Sequence, residues 1–306
     1  MEYRRIGNSD LEVSTVALGS WVFGGDGWGE ADDAESIKVV QRALDLGINI
    51  IDTAPIYGDG RAEEVIGKAL QGRRKNVIIA TKCGLEKKGK GISIDLTAGF
   101  IREEIENSLR RLNIETIDLY QCHWPDPKTP YGETFGELKK LISEGKIRHI
   151  GVSNFDPAQI KKAISFAPVI SDQVQYSLFD RNIEKELIPV CRENNVSILS
   201  YGSLGGGILT GKYRNPPSFG KGDVRSFFYK FYKEPFWGQA RELVTILENI
   251  SSKRGVPTSQ SAINWVLAHE EVASCIVGCR TEGQLAQNVK SPEWSLNEEE
   301  IGRITA

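Results

Sequence analysis

Short apolar stretches alternate along the chain with longer amphipathic segments from residue 16 onward. The apolar stretches are rich in valine and isoleucine, which is typical of strands, whereas DDAESIKVVQRALDLG places Ile37, Val40 and Leu44 near one stripe of a helix. The predicted strands are VALG, INIIDT, VIIATK, IDLYQCH, HIGVS, DQVQY, VSILSY and SCIVG. Strands that alternate with helices indicate parallel βα units.

Eight such units favour a closed barrel of the α/β class, the (β/α)₈ or TIM barrel. Continuous apolar strands need cover on both faces, and an inner barrel surrounded by helices supplies it. A doubly wound open sheet is the alternative architecture. The length of 306 residues suits a single barrel domain over residues 1–306.

Three segments fall outside the repeat. Residues 2–14 contain two short alternating runs around a polar turn, which predicts a β-hairpin that plugs one end of the barrel. The stretch Gly205–Phe236 is too long for a simple connection and predicts a functional loop. The C-terminal SLNEEEIGRITA predicts an extra helix, with Ser295 and Glu298 spaced as a capping box.

Composition narrows the function classes. A formal charge of -3 and a pI near 5.8 argue against a general affinity for nucleic acid. No apolar run approaches the roughly 20 residues of a membrane span, and MEYRRIGNSD is too polar for a signal peptide, so we expect no membrane and a cytoplasmic location. The odd number of cysteines favours reduced packing residues. Cys275 and Cys279 lack ligand-rich surroundings, so no metal site is expected.

Polar or aromatic residues stand at the ends of the predicted strands, which is where a barrel of this kind carries its reactive groups. Asp52, Lys82 and His123 end three successive strands and are expected to converge at one side of the barrel mouth. Burying three ionisable side chains there costs desolvation free energy unless their charges are paired or serve catalysis. The other strand-end residues are Ser20, Trp21, Ser153, Asn154, Gln175, Tyr201 and Arg280.

The trio permits a narrow chemistry. Lys82 beside Asp52 forms a buried ion pair, and a cation within about 4 to 6 Å lowers the pKa of a phenol from about 10. Tyr57, five residues after Asp52, is the candidate general acid for protonating a carbonyl oxygen, an effect worth about 10² to 10⁴ in rate. His123, if neutral, would orient that carbonyl.

These residues stand in IDTAPIYGDGRAEEVIGKAL, IIATKCG, LYQCHWPDP and IGVSNF, which resemble the aldo-keto reductase superfamily. YRRIGNSDLEVSTVALGSW and YGSLGGGILTGKY also match, particularly the branch with bacterial reductases and potassium-channel β subunits, so the resemblance covers nearly the whole chain. It implies a catalytic tetrad of Asp52, Tyr57, Lys82 and His123, with Tyr57 as the acid.

The resemblance further implies NADPH extended across the barrel mouth. Ser153, Asn154 and Gln175 would hold the carboxamide and Tyr201 would stack on the nicotinamide ring. Arg280 adds the positive charge expected beside a 2′-phosphate. The remaining expected cofactor contacts are Ser20, Trp21, Asp52, Gly202, Ser203, Leu204, Gly206, Lys212, Gly278, Gln284 and Asn288.

Two other nucleotide-binding patterns are incomplete. Gly206–Lys212 imitates a P-loop until Tyr213 takes the place of the Ser or Thr that would hold Mg²⁺. Gly58 and Gly60 follow a strand but lack the third glycine of a dinucleotide fingerprint. Both an NTPase and a Rossmann domain are therefore disfavoured.

The expected partner is a small carbonyl compound, an aldehyde or ketone, with reduction or the reverse oxidation as the reaction. Apolar walls near the reacting groups would come from aromatic residues, and Phe227–Trp237 would cover the site. The expected substrate contacts are Trp21, Phe23, Tyr57, His123 and Trp124, with Trp28 as a further wall.

Two alternatives stay open beside a reductase. One is an NADPH-binding partner module of the channel β-subunit type. The other is a Schiff-base lyase using Lys82, which Asp52 would disfavour by holding the lysine charged.

Overall fold

The computed structural model describes residues 1–89 and 91–305. In chain order its strands are β1 (Tyr3–Arg5), β2 (Glu12–Ser14), β3 (Val16–Gly19), β4 (Ile50–Asp52), β5 (Ile78–Cys83), β6 (Leu85–Lys88), β7 (Gly91–Ile94), β8 (Ile117–Cys122), β9 (Ile147–Ser153), β10 (Val169–Gln175), β11 (Ser197–Tyr201) and β12 (Val272–Gly278). All eight strands predicted from the apolar stretches are present.

These eight strands close into a parallel barrel in the order β10, β11, β12, β3, β4, β5, β8, β9. The first and last barrel strands in sequence, β3 and β12, pair with each other. Cys275 lies opposite Val16, and Gly278 lies opposite Gly19. Because β9 also pairs with β10, the sheet has no free edge. The TIM barrel is thus confirmed, and the open doubly wound sheet is excluded.

Helices surround the barrel on its outer side. They are α1 (Asp33–Asp45), α2 (Arg61–Ala69), α3 (Ala98–Leu112), α4 (Tyr131–Ser143), α5 (Pro157–Ile164), α6 (Leu187–Glu193), α7 (Arg225–Phe228), α8 (Phe236–Arg254), α9 (Thr258–Leu267), α10 (Glu282–Asn288) and α11 (Glu298–Thr305). In α1, Asp32 caps the first turn by accepting from the amides of Ala34 and Glu35, and Val39, Val40 and Ala43 are buried. Within the described ranges, no helix is both long enough and apolar enough to cross a bilayer.

The N-terminal hairpin β1–β2 is present and packs against one end of the barrel. Ile6, Leu11 and Val13 are buried in the same cluster as Ile50 and Leu199 of the barrel strands. A second, larger cluster fills the space between barrel and helices. The predicted plug is therefore confirmed.

The C-terminal helix α11 is also present, but the predicted cap is wrong. Asn297, rather than Ser295, caps it: the Asn297 side chain accepts from the Glu300 amide at 2.8 Å, and Glu300 accepts from the Asn297 amide at 2.9 Å. The helix begins at Glu298, two residues later than the Ser295–Glu298 spacing suggested, and Ser295 lies in the non-helical segment before it.

Two segments beyond the barrel differ from expectation. The hairpin β6–β7 follows barrel strand β5 and was not predicted, because LEKKGKGISI is dominated by charge and glycine. The long stretch Gly205–Phe236 is not a plain loop. It contains short helical turns at Gly205–Thr210, α7 and Lys230–Tyr232, and α8 begins at Phe236.

Candidate active site

A cavity of about 820 Å³ opens at the carboxyl ends of the barrel strands. Strand-end residues reach it from around the barrel, including Trp21 after β3, Asp52 at the end of β4, His123 after β8 and Tyr201 at the end of β11. Parallel strands bring all their carboxyl ends to one rim, so residues far apart in sequence meet here.

Lys82 lies directly behind this cavity and is completely buried. Its Nζ donates to both carboxylate oxygens of Asp52, at 2.7 and 2.9 Å, and to the Thr53 carbonyl at 3.0 Å. It also lies 3.2 Å from the Tyr57 hydroxyl. The expected ion pair therefore exists and directs the ammonium at the phenol oxygen.

The direction of the Tyr57 pKa differs from the sequence-based expectation. Burial, and then the negative charge of Asp52, raise the pKa of the Tyr57 phenol well above its usual value. Lys82 does not lower it on balance, because Asp52 sits against the same ammonium at 2.7 Å and offsets its charge. Tyr57 is therefore a phenol that keeps its proton at neutral pH.

His123 lines the cavity beside Tyr57, with its ring edge against the phenol ring at 6.0 Å between centroids. Burial and the charge of Lys82 lower the pKa of His123 well below 6.5. The imidazole is neutral at physiological pH, as the orienting role requires. Trp21 stacks on the Tyr57 ring with 5.7 Å between centroids, so the phenol ring packs against two other rings.

Most of the predicted cofactor contacts share the cavity. Asn154 links several of them: its amide donates to the His123 carbonyl at 3.1 Å and to the Ser153 hydroxyl at 2.9 Å, and its carbonyl oxygen accepts from Tyr201 at 2.9 Å. The predicted cofactor residues that line the cavity are Trp21, Asp52, Ser153, Asn154, Tyr201, Gly202, Ser203, Leu204, Gly206, Lys212, Gly278, Arg280, Gln284 and Asn288.

Gln175 lies outside the cavity, so its expected contact with a carboxamide is not supported. Its amide donates instead to Asp180 at 2.8 Å. Gln173 lines the cavity in its place and donates to Asp52 at 2.7 Å. Both side chains leave the same face of β10, so strand alternation does not separate them. Their hydrogen bonds do, because Gln173 donates to Asp52 and Gln175 donates to Asp180.

Ser20 and Phe23 also lie outside the cavity, contrary to expectation. Ser20 is fully buried, and its hydroxyl finds no hydrogen-bond partner among the described residues. Residues 21–23 form a short 3₁₀ helix that turns Trp21 toward the cavity and Phe23, only 1% exposed, into the core. Neighbours in such a turn point in different directions, which the sequence pattern does not show. Trp28, Tyr57 and Trp124 do line the cavity.

Several lining residues were missed. The hairpin β6–β7 contributes Leu85, Lys87 and Ile92. In the stretch expected to cover the site, Phe228 and Tyr229 line the cavity, whereas Phe236 and Trp237 belong to α8, away from it. The remaining unpredicted wall residues include Val22, Asp26, Ile56, Val224, Arg225, Pro257, Ser259 and Gln287.

The turn after β11 suits an extended dinucleotide. Gly206 and Gly207 have φ of +66° and +102°, and a Cβ on Gly206 would lie 2.8 Å from the Tyr229 ring. The backbone therefore borders the cavity where a side chain would not fit, with Lys212 beside it. An open groove with backbone amides and a nearby cation is what a pyrophosphate needs.

The described residues contain no group of three or more His, Cys, Asp or Glu side chains placed to bind a metal ion. All five cysteine side chains are buried. Burial raises the pKa of Cys279 to about 12, so it is an un-ionised thiol at neutral pH.

Comparison with known proteins agrees with this geometry. Residues 15–306 match the model of the Aldo/keto reductase family. The chain is 35% identical to "Aldo-keto reductase yakc [NADP(+)]" of Schizosaccharomyces pombe, over 98% of this chain and 89% of that protein. It is 32% identical to "NADH-specific methylglyoxal reductase" of Escherichia coli, over 96% of this chain and 94% of that protein.

Among solved structures, the chain resembles the glycerol dehydrogenase AKR11B4 from Gluconobacter oxydans. The TM-score is 0.91 at 41% identity, over 99% of this chain and 93% of that one.

Proposed function

Because the chain belongs to the aldo/keto reductase family, whose members are oxidoreductases that act on carbonyl compounds with a nicotinamide cofactor, we propose that it is an NADPH-dependent reductase of an aldehyde or ketone. The observation that carries this proposal is the set of contacts around Lys82. Its ammonium is fixed by Asp52 and lies 3.2 Å from the hydroxyl of Tyr57, which borders the cavity together with His123.

Tyr57 acts as the general acid. A bound nicotinamide cofactor supplies the hydride that the carbonyl carbon receives. As negative charge develops on the carbonyl oxygen, Tyr57 delivers its proton there, because an alkoxide is a stronger base than a phenolate. The neighbouring Lys82 stabilises the phenolate that remains, and Asp52 keeps Lys82 charged and in place. The neutral His123 orients the carbonyl.

The cofactor would lie along the groove that runs from Tyr57 to Arg280. Ser153 and Asn154 would meet its carboxamide, Tyr201 would stack on the nicotinamide ring, and the turn after β11 would meet its pyrophosphate. Gln284 and Asn288 would meet the adenosine end.

A Schiff-base lyase fits these contacts poorly. The Lys82 ammonium is completely buried and engaged by Asp52 and by the Thr53 carbonyl. A carbonyl carbon would need an uncharged and accessible amine. The engaged Lys82 ammonium is therefore unsuited to act as a nucleophile.

The preference for NADPH rests on Arg280. Of the other cations of the cavity wall, Lys87 and Arg225 are already paired with Asp26 and Asp223, and Lys212 lies beside the turn that would meet the pyrophosphate. Arg280 is exposed and forms no ion pair within the described part of the chain, so its guanidinium is free for a 2′-phosphate. Relatives named for NADP(+) and for NADH both occur, so membership of the family does not decide between the two cofactors. The proposed preference for NADPH therefore depends on the residues of this chain.

The first experiment follows the decrease of NADPH absorbance with a panel of aldehydes and ketones. Tyr57→Phe removes the proton donor and keeps the ring, so we expect turnover to fall by at least about 10²-fold while NADPH affinity, read by fluorescence, is retained. Tyr131→Phe, a tyrosine outside the cavity, is the matched control. Undiminished turnover in Tyr57→Phe would reject the assignment of the acid.

The second experiment concerns the cofactor. Arg280→Ala should raise the KM for NADPH by about 10- to 100-fold and change the KM for NADH little, since only NADPH carries the 2′-phosphate. Arg303→Ala, an exposed arginine on α11, controls for net charge. Equal effects on both cofactors would argue against recognition of the phosphate by Arg280.

A further inference from the structure

The hairpin β6–β7 brings a charged side chain to the active site. Lys87 lies on β6 and lines the same cavity as Tyr57. Its Nζ lies 2.8 Å from Asp26, in the loop after β3, and 2.8 Å from Asp59, in the loop after β4. One ammonium therefore joins the hairpin to two loops at the mouth of the barrel.

The turn that directly follows Tyr57 has an uncommon backbone conformation. Gly58, Asp59 and Gly60 have φ of +64°, +53° and +93°. Left-handed backbone is easy for glycine but costs free energy at a residue with a Cβ, although aspartate and asparagine tolerate it better than most. Lys87 binds the side chain of the middle residue, so this contact favours the observed conformation of the turn.

Asp26 connects the same ammonium to the first residue of this turn. Its other carboxylate oxygen accepts from the Gly58 amide at 3.1 Å. The two loops are in close contact there, since a Cβ on Gly24 would lie 2.7 Å from the Gly58 nitrogen and 2.8 Å from the Tyr57 carbonyl carbon. Lys87 thus holds the turn through two carboxylates from two different loops.

We propose that Lys87 is a positioning residue for the general acid Tyr57. It fixes the turn that follows Tyr57, so that the phenol oxygen stays 3.2 Å from the Lys82 ammonium and faces the carbonyl group. Lys87 acts through Asp26 and Asp59 and delivers no proton itself. The inference rests on the proposed reductase function, which assigns the proton transfer to Tyr57.

Removal of the Lys87 ammonium leaves two neighbouring carboxylates that repel each other. Lys87→Met should lower kcat for an uncharged aldehyde such as hexanal by about five- to twentyfold, because a small misplacement of a reacting group slows a reaction steeply. The KM for NADPH should change by less than about twofold. Lys87→Arg keeps the charge and should retain at least about half of the wild-type kcat.

Lys88→Met is the matched control for the hairpin. Lys88 lies on the opposite face of β6, because side chains alternate along a strand, and it pairs with Glu86. Its loss removes one charge from the same strand without touching either loop. The kcat of Lys88→Met should therefore equal that of the wild type, and a fall as large as that of Lys87→Met would overturn the assignment.

A double variant tests whether Lys87 acts through Asp59. Asp59→Asn removes one carboxylate and should preserve the turn, since asparagine also tolerates a positive φ. Combined with Lys87→Met it removes the repulsion, so the double variant should recover kcat to within about threefold of the wild type. If the two substitutions instead lowered kcat independently, with their effects multiplied, the role of the ammonium between the carboxylates would be overturned.

The solvent deuterium isotope effect on kcat separates positioning of the acid from binding of a ligand. It should rise in Lys87→Met, because proton delivery then limits the rate more strongly. A raised KM for hexanal or NADPH with an unchanged kcat would mean that Lys87 contacts a ligand directly, which contradicts the positioning role.

Fluorine NMR of protein labelled with fluorotyrosine reports on Tyr57 without turnover. The resonance of Tyr57 is the one that Tyr57→Phe removes, and it should shift in Lys87→Met but not in Lys88→Met. Failure of the wild type to reduce any aldehyde or ketone would reject the proposed function. A Tyr57 resonance that stays in place in Lys87→Met would separately overturn the positioning role.

Discussion

Lys82 illustrates how single residues decide the chemistry of this site. A completely buried ammonium is costly, and here the cost is offset by a carboxylate at 2.7 Å and a carbonyl at 3.0 Å. Burial lowers the pKa of Lys82, and Asp52 counteracts this effect. Burial, and then the same carboxylate, raise the pKa of Tyr57, so Asp52 acts on both groups in addition to their burial.

Glu104 on α3 is a second buried ionisable residue, outside the cavity. A carboxyl oxygen of Glu104 accepts from the Gly84 amide at 2.5 Å, and burial raises the pKa of Glu104 to about 8. Because the folded pKa lies above the unfolded value of 4.5, the stabilising contribution is complete below pH 4.5 and is lost as the pH rises toward 8. Glu104 is therefore protonated in the folded protein near neutrality.

We predict that the free energy of unfolding falls between pH 5 and about 8.5, with a slope of up to about 1.4 kcal/mol per pH unit from Glu104. Glu104→Gln imitates the neutral carboxyl and should remove that slope. Glu103→Gln, its exposed neighbour, should keep it. Urea unfolding across this pH range gives the measurement, and identical slopes for Glu104→Gln and wild type would contradict the prediction.

Among the elements, the N-terminal hairpin owes its position to both packing and a charged contact. Arg4 donates to the carbonyls of Leu267, His269 and Val272, at 3.0, 3.3 and 2.8 Å. These carbonyls lie at the end of α9 and the start of β12. A residue near the N-terminus thus fixes the last turn before the final barrel strand.

Arg4→Met should lower the free energy of unfolding by about 2 to 3 kcal/mol, because buried carbonyls lose charged donors. Arg5→Met, at the exposed neighbouring position, should change it by less than about 0.5 kcal/mol. Urea denaturation compares the two. If both variants were equally stable, the hairpin would be held by its apolar contacts alone.

At the scale of the whole molecule, barrel closure joins the two ends of the sequence. Strand β12 pairs with β3, and the Ser274 hydroxyl donates to the Ser14 carbonyl at 2.8 Å. Neither half of the barrel completes its hydrogen bonding without the other. The expectation of one domain over residues 1–306 stays a prediction that unfolding can test.

Unfolding in urea should therefore occur in one transition, with far-ultraviolet circular dichroism and tryptophan fluorescence changing together. The tryptophans suit this test because Trp21 and Trp28 lie near the first barrel strand, whereas Trp265 and Trp294 flank the last one. Two separate transitions would mean that the halves fold independently.

The hydrophobic periodicity of the sequence was sufficient to predict the barrel architecture. Eight valine- and isoleucine-rich stretches became the eight barrel strands, and the polar residues at their ends reached one rim, as the geometry of parallel strands requires. Tyr57 is different: its position beside Lys82 was expected chiefly from family resemblance. The hairpin β6–β7 was missed because its charged sequence carries little apolar alternation.

The sequence by itself determined the order of the elements and the convergence of Asp52, Lys82 and His123, because these depend on local periodicity and on the position of each residue along its strand. Only the tertiary structure decided that Gln173 rather than Gln175 borders the cavity, that Phe23 turns into the core, and that the pKa of Tyr57 is raised rather than lowered. The hydrogen bond from Gln173 to Asp52, the burial of Phe23 and the charge of Asp52 near Tyr57 depend on contacts between distant segments, so no local pattern records them.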